Sequence, residues 1–260
     1  MKNLTNGPRI LLIDIETAPN TVLAWGLFNQ NIAIQQIVDS GLTLCFAAKW
    51  LGERDIIFSS IYQDGAKKML KKAHALLDQA DMVVHYNGKS FDIPTLQKDF
   101  IKIGLRPPSP VKHIDLLQVA RDQFKFVSNK LDFITNYLGL GSKVRHKGME
   151  LWVQCMADDE VAWGKMERYN KQDVRLLERL YKKFRPWIKH HPNMGLYIDD
   201  SKGRPVCRNC GSPKLHTRGE AMTEAGKYRR YQCQACGTWG RGNKNLLTKE
   251  ERVKLHRIIK

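Results

Sequence analysis

The sequence has no long hydrophobic run. No stretch approaches the about 18 consecutive apolar residues of a membrane-spanning helix, and the start MKNLTNGPR lacks the apolar region of a secretory signal peptide. Internal repeats and low-complexity tracts are absent as well. These absences argue against a membrane or secreted protein, so we expect a cytoplasmic protein with no membrane partner.

Acidic residues are scarce relative to basic ones. The 260 residues contain 26 Asp and Glu against 43 Lys and Arg, which gives a formal net charge of +17. Residues 201–260 alone hold 15 basic and 4 acidic side chains, so the C-terminal quarter contributes +11 of this charge. An excess of this size favours a polyanionic partner such as nucleic acid.

Cysteine is also sparse, and its spacing separates two classes. Cys45 and Cys155 are isolated among apolar neighbours and are predicted to be buried thiols. The other four are Cys207, Cys210, Cys233 and Cys236. They form two C-x2-C pairs separated by 22 residues, a spacing typical of a metal site rather than of a disulfide framework. The pattern resembles a zinc ribbon, with one structural Zn2+ expected and rubredoxin-like iron as the alternative.

Basic and aromatic residues alternate in the second arm of this ribbon. Cations beside exposed aromatic rings suit phosphate contacts and base stacking. The residues predicted to contact nucleic acid here are Arg229, Arg230, Tyr231, Trp239 and Arg241. Two alternatives remain: aromatic rings that pack the small core beside solvated arginines, and a ribbon that docks a protein.

Hydrophobic periodicity predicts an α/β protein in which helices cover a mixed sheet. Strands are expected near residues 9–16, 42–50, 55–62, 81–87 and 113–117, and helices near 66–80, 94–105, 131–140 and 158–185. Thr248 and Glu251 are spaced as the capping box of a final helix. The predicted organisation is an α/β domain over 1–190, a linker over 191–205, a four-cysteine ribbon over 206–245 and a basic helix over 246–260.

The first predicted strand, RILLIDIET, carries two carboxylates at its end. Asp14 and Glu16 are two residues apart, so their side chains point to the same face of the strand. Like charges held together in a buried setting raise each other's pKa, and a divalent cation would resolve that conflict. The alternative is a strand whose end has reached solvent.

Two later segments supply further candidates. Asp92 follows a Gly-containing turn after a short strand, where an N-cap is the structural alternative. Tyr169 and Asp173 are four residues apart on a helix and share one face, where a surface Tyr–Asp pair is the alternative. Asp115, in HIDLL, is interpreted as a carboxylate with a structural or metal-supporting role at a strand end.

In this order the segments resemble the DEDD exonuclease superfamily. The motifs are D-x-E over 14–16, N-x3-F-D over 87–92 and Y-x3-D over 169–173. The histidine branch of the superfamily would place His where this chain has Arg168, so the resemblance is to the tyrosine branch. It implies a ribonuclease H-like fold over about residues 9–185. The wider pattern looks closest to phage or bacterial proofreading-like exonuclease domains.

The resemblance also implies roles for individual residues. Asp14 would bridge two Mg2+ or Mn2+ ions. Glu16 and Asp173 would hold the ion that activates water, while Asp92 would support the second ion, mainly through water. Tyr169 would orient the attacking water through its hydroxyl.

The predicted function is a 3′→5′ exonuclease that acts on nucleic acid by a two-metal-ion mechanism. The carboxylates alone imply only two-metal hydrolysis; the direction follows from the resemblance, which also favours DNA over RNA. Expected partners are single-stranded DNA 3′ ends, contacted by the ribbon and by Asn87, and a replication or repair protein. Two alternatives share the fold: a non-catalytic nucleic-acid-binding or adaptor protein, and a structure-specific endonuclease.

Overall fold

Apolar β-branched runs alternate with helical periodicity along the chain, and the protein folds accordingly into strands and helices. A computed structural model describes residues 7–146, 148–198, 203 and 205–255. The chain divides into two units, Arg9–Lys182 and a smaller one that contains residues 7–8 and the described residues from Lys183 onward. Among the described residues, no helix is both long enough and apolar enough to cross a bilayer.

The larger unit is built on a mixed sheet, as predicted. Its described strands are β1 (Ile10–Thr17), β2 (Thr21–Val22), β3 (Ile37–Asp39), β4 (Thr43–Trp50), β5 (Ile57–Ser60), β6 (Met82–His85) and β7 (Lys112–Asp115). Five of them form one sheet in the order β5-β4-β1-β6-β7. In this sheet β1 runs antiparallel to β4 and parallel to β6. The remaining two, β2 and β3, pair as a separate antiparallel hairpin.

Helices cover both faces of this sheet. Those of the larger unit are α1 (Ile61–Asp64), α2 (Ala66–Gln79), α3 (Asp92–Lys102), α4 (Leu116–Gln123), α5 (Leu131–Tyr137), α6 (Met149–Met156) and α7 (Glu160–Phe184). The four predicted helices are confirmed as α2, α3, α5 and α7 with shifted ends. The strand predicted over 55–62 stops at Ser60, because the Ser60 side chain accepts a hydrogen bond from the Gln63 amide and begins α1. Helices α4 and α6 were not predicted.

The two faces of β1 pack against different layers, as its alternating side chains require. Leu11, Ile13 and Ile15 belong to a core that also contains apolar side chains of α2 and α3. Glu16 pairs in register with Cys45 of β4, and Cys45 belongs to a second core with side chains of α6 and α7. Asp14 and Glu16 therefore face the layer that contains α7.

The smaller unit contains a three-stranded antiparallel sheet in the order β10-β9-β8. Its elements are β8 (Leu215–Thr223), β9 (Gly226–Cys233), β10 (Trp239–Asn245) and α8 (Lys249–Val253). The predicted turn between β8 and β9 is confirmed, since Thr223 pairs with Gly226, whereas β10 was not predicted. The capping box of Thr248 and Glu251 is confirmed at the start of α8.

Two predicted segments lie partly outside the described residues. Residues 256–260 of the predicted C-terminal helix lie outside the described residues, and so do residues 199–202 and 204 of the predicted linker. The described part of that linker includes a short 3-10 helix over Met194–Tyr197.

Candidate active site

Three carboxylates meet between the end of β1 and the middle of α7. One oxygen each of Asp14, Glu16 and Asp173 lies within 4.8 Å of the other two. Asp173 is only 2% exposed, and its Oδ1 has no hydrogen-bond partner among the described residues. Two structural alternatives are thereby contradicted. The end of β1 has not reached bulk solvent, because Asp14 and Glu16 are half-buried. Tyr169 and Asp173 are not a surface pair, because both are buried.

Asp92 reaches the same end of β1 from α3. It is the first residue of that helix, whereas the N-cap is Phe91, so the N-cap interpretation of Asp92 is wrong. The carboxylate is 4% exposed, and its Oδ1 accepts a hydrogen bond of 3.2 Å from the amide of Ile15. Asp92 is thereby fixed beside the backbone that joins the two acids of β1.

Hydrogen bonds to the side chain of Asp115 hold the turn that precedes Asp92. This residue is the N-cap of α4, and its Oδ1 accepts hydrogen bonds from the amides of Leu117 at 3.0 Å and Asn87 at 2.9 Å. Asn87 has a positive φ of 66°. A Cβ on Gly88 would lie 2.6 Å from the side chain of His85, so the turn requires glycine there. The contacts of Asp115 are those of a structural carboxylate.

Helix α7 supplies two further side chains beside the carboxylates. Asn170 is fully buried and donates a hydrogen bond of 2.7 Å to Asp14 Oδ2. Tyr169, one residue earlier, is 7% exposed. Its ring packs edge-on against His146 and against Trp152 of α6, with ring centroids 4.9 and 6.0 Å away.

Lys143 completes the arrangement. Its Nζ lies 2.5 Å from Asp173 Oδ2 and donates a hydrogen bond of 3.1 Å to the Tyr169 hydroxyl. The sequence shows it only as part of a basic loop over 143–148, in which residue 147 lies outside the described residues. Lys143 places a positive charge directly against the carboxylate cluster.

The cluster holds its acids in conditions that favour the protonated form. Burial and the nearby Asp173 raise the pKa of Asp14 well above its ordinary value and that of Glu16 to about 8. Burial raises the pKa of Asp92 to about 6. Burial also raises the pKa of Asp173, although the Lys143 ammonium opposes the shift. A nearby divalent cation would relieve the repulsion among these acids and favour their ionised form.

Tyr169 and Lys143 carry protons at neutral pH. Burial and the Asp173 carboxylate raise the pKa of Tyr169 above its ordinary value of 10. Burial alone would lower the pKa of Lys143, but Asp173 and Tyr169 raise it above its ordinary value. The Tyr169 hydroxyl therefore keeps its proton and can donate a hydrogen bond as well as accept the one from Lys143.

The acids fit a divalent cation. Hard cations such as Mg2+ and Mn2+ prefer carboxylate oxygens, and Asp14, Glu16 and Asp173 converge on one point. The unpartnered Oδ1 of Asp173 and the raised pKa values are the features that a bound cation would satisfy.

The sequence match covers this whole arrangement. A family model of the RNase H superfamily matches residues 13–185. The chain belongs to the RNase H superfamily. No curated protein matches the chain.

The RNase H superfamily fold also has a solved counterpart. The structure of the family B DNA polymerase from the hyperthermophilic archaeon Pyrobaculum calidifontis superposes with a TM-score of 0.54 and 18% sequence identity. The match covers 69% of this chain and 25% of the polymerase. The predicted ribonuclease H-like fold is confirmed, and the assignment to the tyrosine branch stays a prediction.

Beyond the RNase H-like unit, the four cysteines of the smaller unit form a second metal-type cluster. Their sulfur atoms all lie within 4.8 Å of one another. The Cys207–Cys236 and Cys210–Cys233 sulfur distances are both 3.6 Å. Four thiolates bonded tetrahedrally at the Zn–S length of about 2.3 Å would lie roughly 3.8 Å apart. The cluster therefore fits a zinc module.

The predicted nucleic-acid contacts of this module divide between two faces of its sheet. Arg241 pairs in register with Arg230, and the guanidinium of Arg241 lies 4.0 Å from the ring centre of Tyr228. Arg230 lies 5.3 Å from the ring centre of Trp239, whose side chain is 49% exposed. Strand alternation places the remaining two candidates, Arg229 and Tyr231, on the opposite face.

Sequence reasoning missed Lys143, Trp152 and Asn170. Asn170 follows Tyr169 directly, and a rotation of about 100° per residue points it toward the buried ridge of the helix. The position of Asn170 on the helix could therefore have been read from the sequence. Lys143 contacts Asp173. Trp152 hydrogen-bonds to Glu16. These contacts join segments that are distant in the chain, so no local sequence pattern predicts them.

Proposed function

We propose that this protein is a metal-dependent 3′→5′ exonuclease that hydrolyses phosphodiester bonds of DNA. The observation that carries the proposal is the convergence of Asp14, Glu16 and Asp173 beside Tyr169. Membership of the RNase H superfamily supports nuclease activity, and the order of the three motifs supports 3′→5′ exonuclease action. The solved structure of similar fold is a DNA polymerase, which is the basis for proposing DNA instead of RNA.

Four acids are proposed to hold two Mg2+ or Mn2+ ions. The direct ligands would be Asp14, Glu16 and Asp173. Asp92, which lies beside β1, would support the second ion, mainly through water. Two divalent ions bound in this way supply a nucleophilic metal-activated water and neutralise charge on the leaving oxygen. The hydrogen bond from Asn170 fixes the orientation of Asp14, so this carboxylate is held in place before any ion binds.

Two proton-bearing side chains act beside the acids. Tyr169 is proposed to orient the attacking water by donating a hydrogen bond, because its raised pKa keeps the hydroxyl protonated. Lys143 keeps its positive charge between Asp173 and Tyr169. We assign to it the attraction of the phosphate and the positioning of the Tyr169 hydroxyl.

The smaller unit is proposed to bind one structural Zn2+ and to grip the nucleic acid. Four thiolates would close the coordination shell of the ion, so no chemistry is expected there. The face that carries Tyr228, Arg230, Trp239 and Arg241 combines cations with an exposed ring, as phosphate contact and base stacking require.

The test is the product pattern from 5′-labelled DNA and RNA, single-stranded and duplex, incubated with Mg2+, Mn2+ or EDTA. A ladder that shortens from the 3′ end and disappears with EDTA is expected. Asp14→Ala and Asp173→Ala should each lower the rate by about 100-fold or more, since they remove the main charge-neutralising groups. Asp122→Ala, an exposed acid of α4, is the matched control and should leave the rate unchanged.

Other outcomes would contradict the proposal. Discrete internal cuts would assign an endonuclease, and binding without cleavage would assign a non-catalytic nucleic-acid-binding protein. Near-normal turnover by a folded Asp14→Ala or Asp173→Ala protein would remove these acids from catalysis.

A further inference from the structure

A second charged feature lies on the other flank of α7. It is an open cleft of about 650 Å3 between the C-terminal half of that helix and the segment around the end of β4. The cations that line it are Lys49, Arg54, Lys171, Arg175, Arg179 and Lys182. The acids that line it are Asp55 and Glu178. We refer to these eight residues as the cationic cleft.

Helical geometry separates the cationic cleft from the candidate active site. Lys171 and Arg175 each lie two residues beyond Tyr169 and Asp173, a rotation of about 200° around α7. The fully buried Val174 lies on the ridge between the two flanks. The carboxylate cluster and the cationic cleft are therefore different surfaces of the same unit.

The floor of the cleft is held in place by one buried carboxylate. Glu178 is 7% exposed and forms ion pairs with Lys49 and with Lys182, the latter at 2.6 Å. This pairing fixes the Lys49 ammonium at the base of the cleft and holds the more exposed Lys182 beside it. Arg54 and Arg175 are exposed at the rim and form no ion pair with any described residue, so their charges are available to a ligand.

The dimensions of the cleft fit a chain of phosphates better than a single small anion. From Lys171 to Lys182 the cations extend over about 16 Å of helix, at about 1.5 Å per residue. A DNA strand carries one phosphate per about 3.4 Å of duplex axis, so several phosphates match this length. Six cations line the cleft against two acids, and a third acid, Glu167, pairs with Lys171 at 2.5 Å, so an excess of positive charge remains.

We propose that the cationic cleft binds the sugar–phosphate backbone of nucleic acid, at a segment separate from the end that is hydrolysed. The inference rests on the proposed function only in taking nucleic acid as the ligand. Contacts of Lys and Arg with phosphates release counterions, so the cleft makes binding dependent on salt. It lengthens the footprint of the protein on its substrate without entering the chemistry.

The test compares the full-length, zinc-loaded protein with Arg54→Gln/Arg175→Gln. The probe is a labelled DNA duplex with a recessed 3′ end, with Mg2+ and Mn2+ omitted so that binding is measured without cleavage. Log affinity falls with log salt, and each lost phosphate contact should make this negative slope shallower by about 0.9. We expect the double variant to lose one to two such contacts and to bind roughly tenfold more weakly at low salt.

Lys67→Gln/Lys71→Gln is the matched control. Both lysines are exposed on α2, whose buried side chains pack against the opposite face of the sheet. This variant loses the same charge and should keep the wild-type slope. Equal slopes for the wild type and the Arg54→Gln/Arg175→Gln variant would overturn the proposal.

Competition with small anions distinguishes a site for the nucleic-acid backbone from a site for a single phosphate. If inorganic phosphate or a mononucleotide at low concentration abolishes the difference between wild type and variant, the cleft is a small-anion site and the proposal is wrong. Persistence of the difference supports a backbone site. A protein that binds through the cleft but cleaves nothing would refute the proposed nuclease and leave this inference standing.

Discussion

Replacing Glu16 by Gln is expected to stabilise the metal-free protein at alkaline pH. Burial and the nearby Asp173 raise the pKa of Glu16 from 4.5 to about 8. Because this pKa is raised on folding, the stability that the group contributes is complete below pH 4.5 and is lost as the pH rises to about 8. A difference of this size corresponds to at most about 5 kcal/mol.

The variant should recover part of that free energy. Gln keeps the side-chain volume and removes the charge, but its buried amide must find hydrogen-bond partners and it loses the attraction of Lys143. We therefore expect a free energy of unfolding about 2 kcal/mol above that of the wild type near pH 8. No gain is expected near pH 4, because the wild-type carboxyl is then neutral as well.

Urea unfolding followed by tryptophan fluorescence measures this difference, since Trp50 and Trp163 are buried in the larger unit. Mg2+ and Mn2+ are omitted, and Zn2+ is supplied for the four-cysteine cluster. Glu53→Gln, an exposed acid of the same unit, is the control. A Glu16→Gln protein that gains nothing near pH 8, or gains equally at both pH values, would refute the electrostatic reasoning. Added Mn2+ should reverse the order, because only the wild type offers the complete acidic site.

Two further predictions concern the tyrosine and the cysteines. Tyr169→Phe should slow single-turnover cleavage at least about tenfold while leaving Mn2+ affinity nearly unchanged in calorimetric titration, because the proposed role of the hydroxyl is to orient water and not to ligate an ion; a large loss of Mn2+ binding would contradict this role. Cys207→Ser/Cys210→Ser should unfold the zinc module, retain cleavage of short single strands at saturating concentration, and show weaker, less salt-dependent binding of long strands. An unchanged salt slope would remove the module from nucleic-acid binding.

Elements with strong periodicity were predictable from the sequence. The apolar β-branched run of β1 and the long amphipathic pattern of α7 give local signals that tertiary structure does not override. Helix α6 has only eight residues, and it lacks the glycine that marked the end of the seven-residue α5 in the sequence. The two-residue strand β2 depends on its pairing with β3 and has no signal of its own. Short elements that depend on their partners and carry no marker of this kind were therefore missed.

In the candidate site too, residues in local motifs were predictable, whereas contacts that depend on tertiary structure were not. Asp14, Glu16, Asp92, Tyr169 and Asp173 were found because they stand in ordered motifs on suitable elements. What the sequence could not provide was the pairing that makes them a cluster. Lys143 contacts Asp173 across 30 residues of chain, and that contact depends on how a loop packs against α7.

Helix α7 makes the spacing of its residues as important as their identity. Inserting one residue into an α-helix rotates everything beyond it by about 100° and advances it by about 1.5 Å. An insertion between Asp173 and Arg175 would leave the carboxylate in place, turn Glu178 away from Lys49 and carry the buried Leu177 toward solvent. Length changes in this helix are therefore tolerable only near its ends. A related chain that varies in length between Tyr169 and Lys182 is expected to have lost one of the two surfaces.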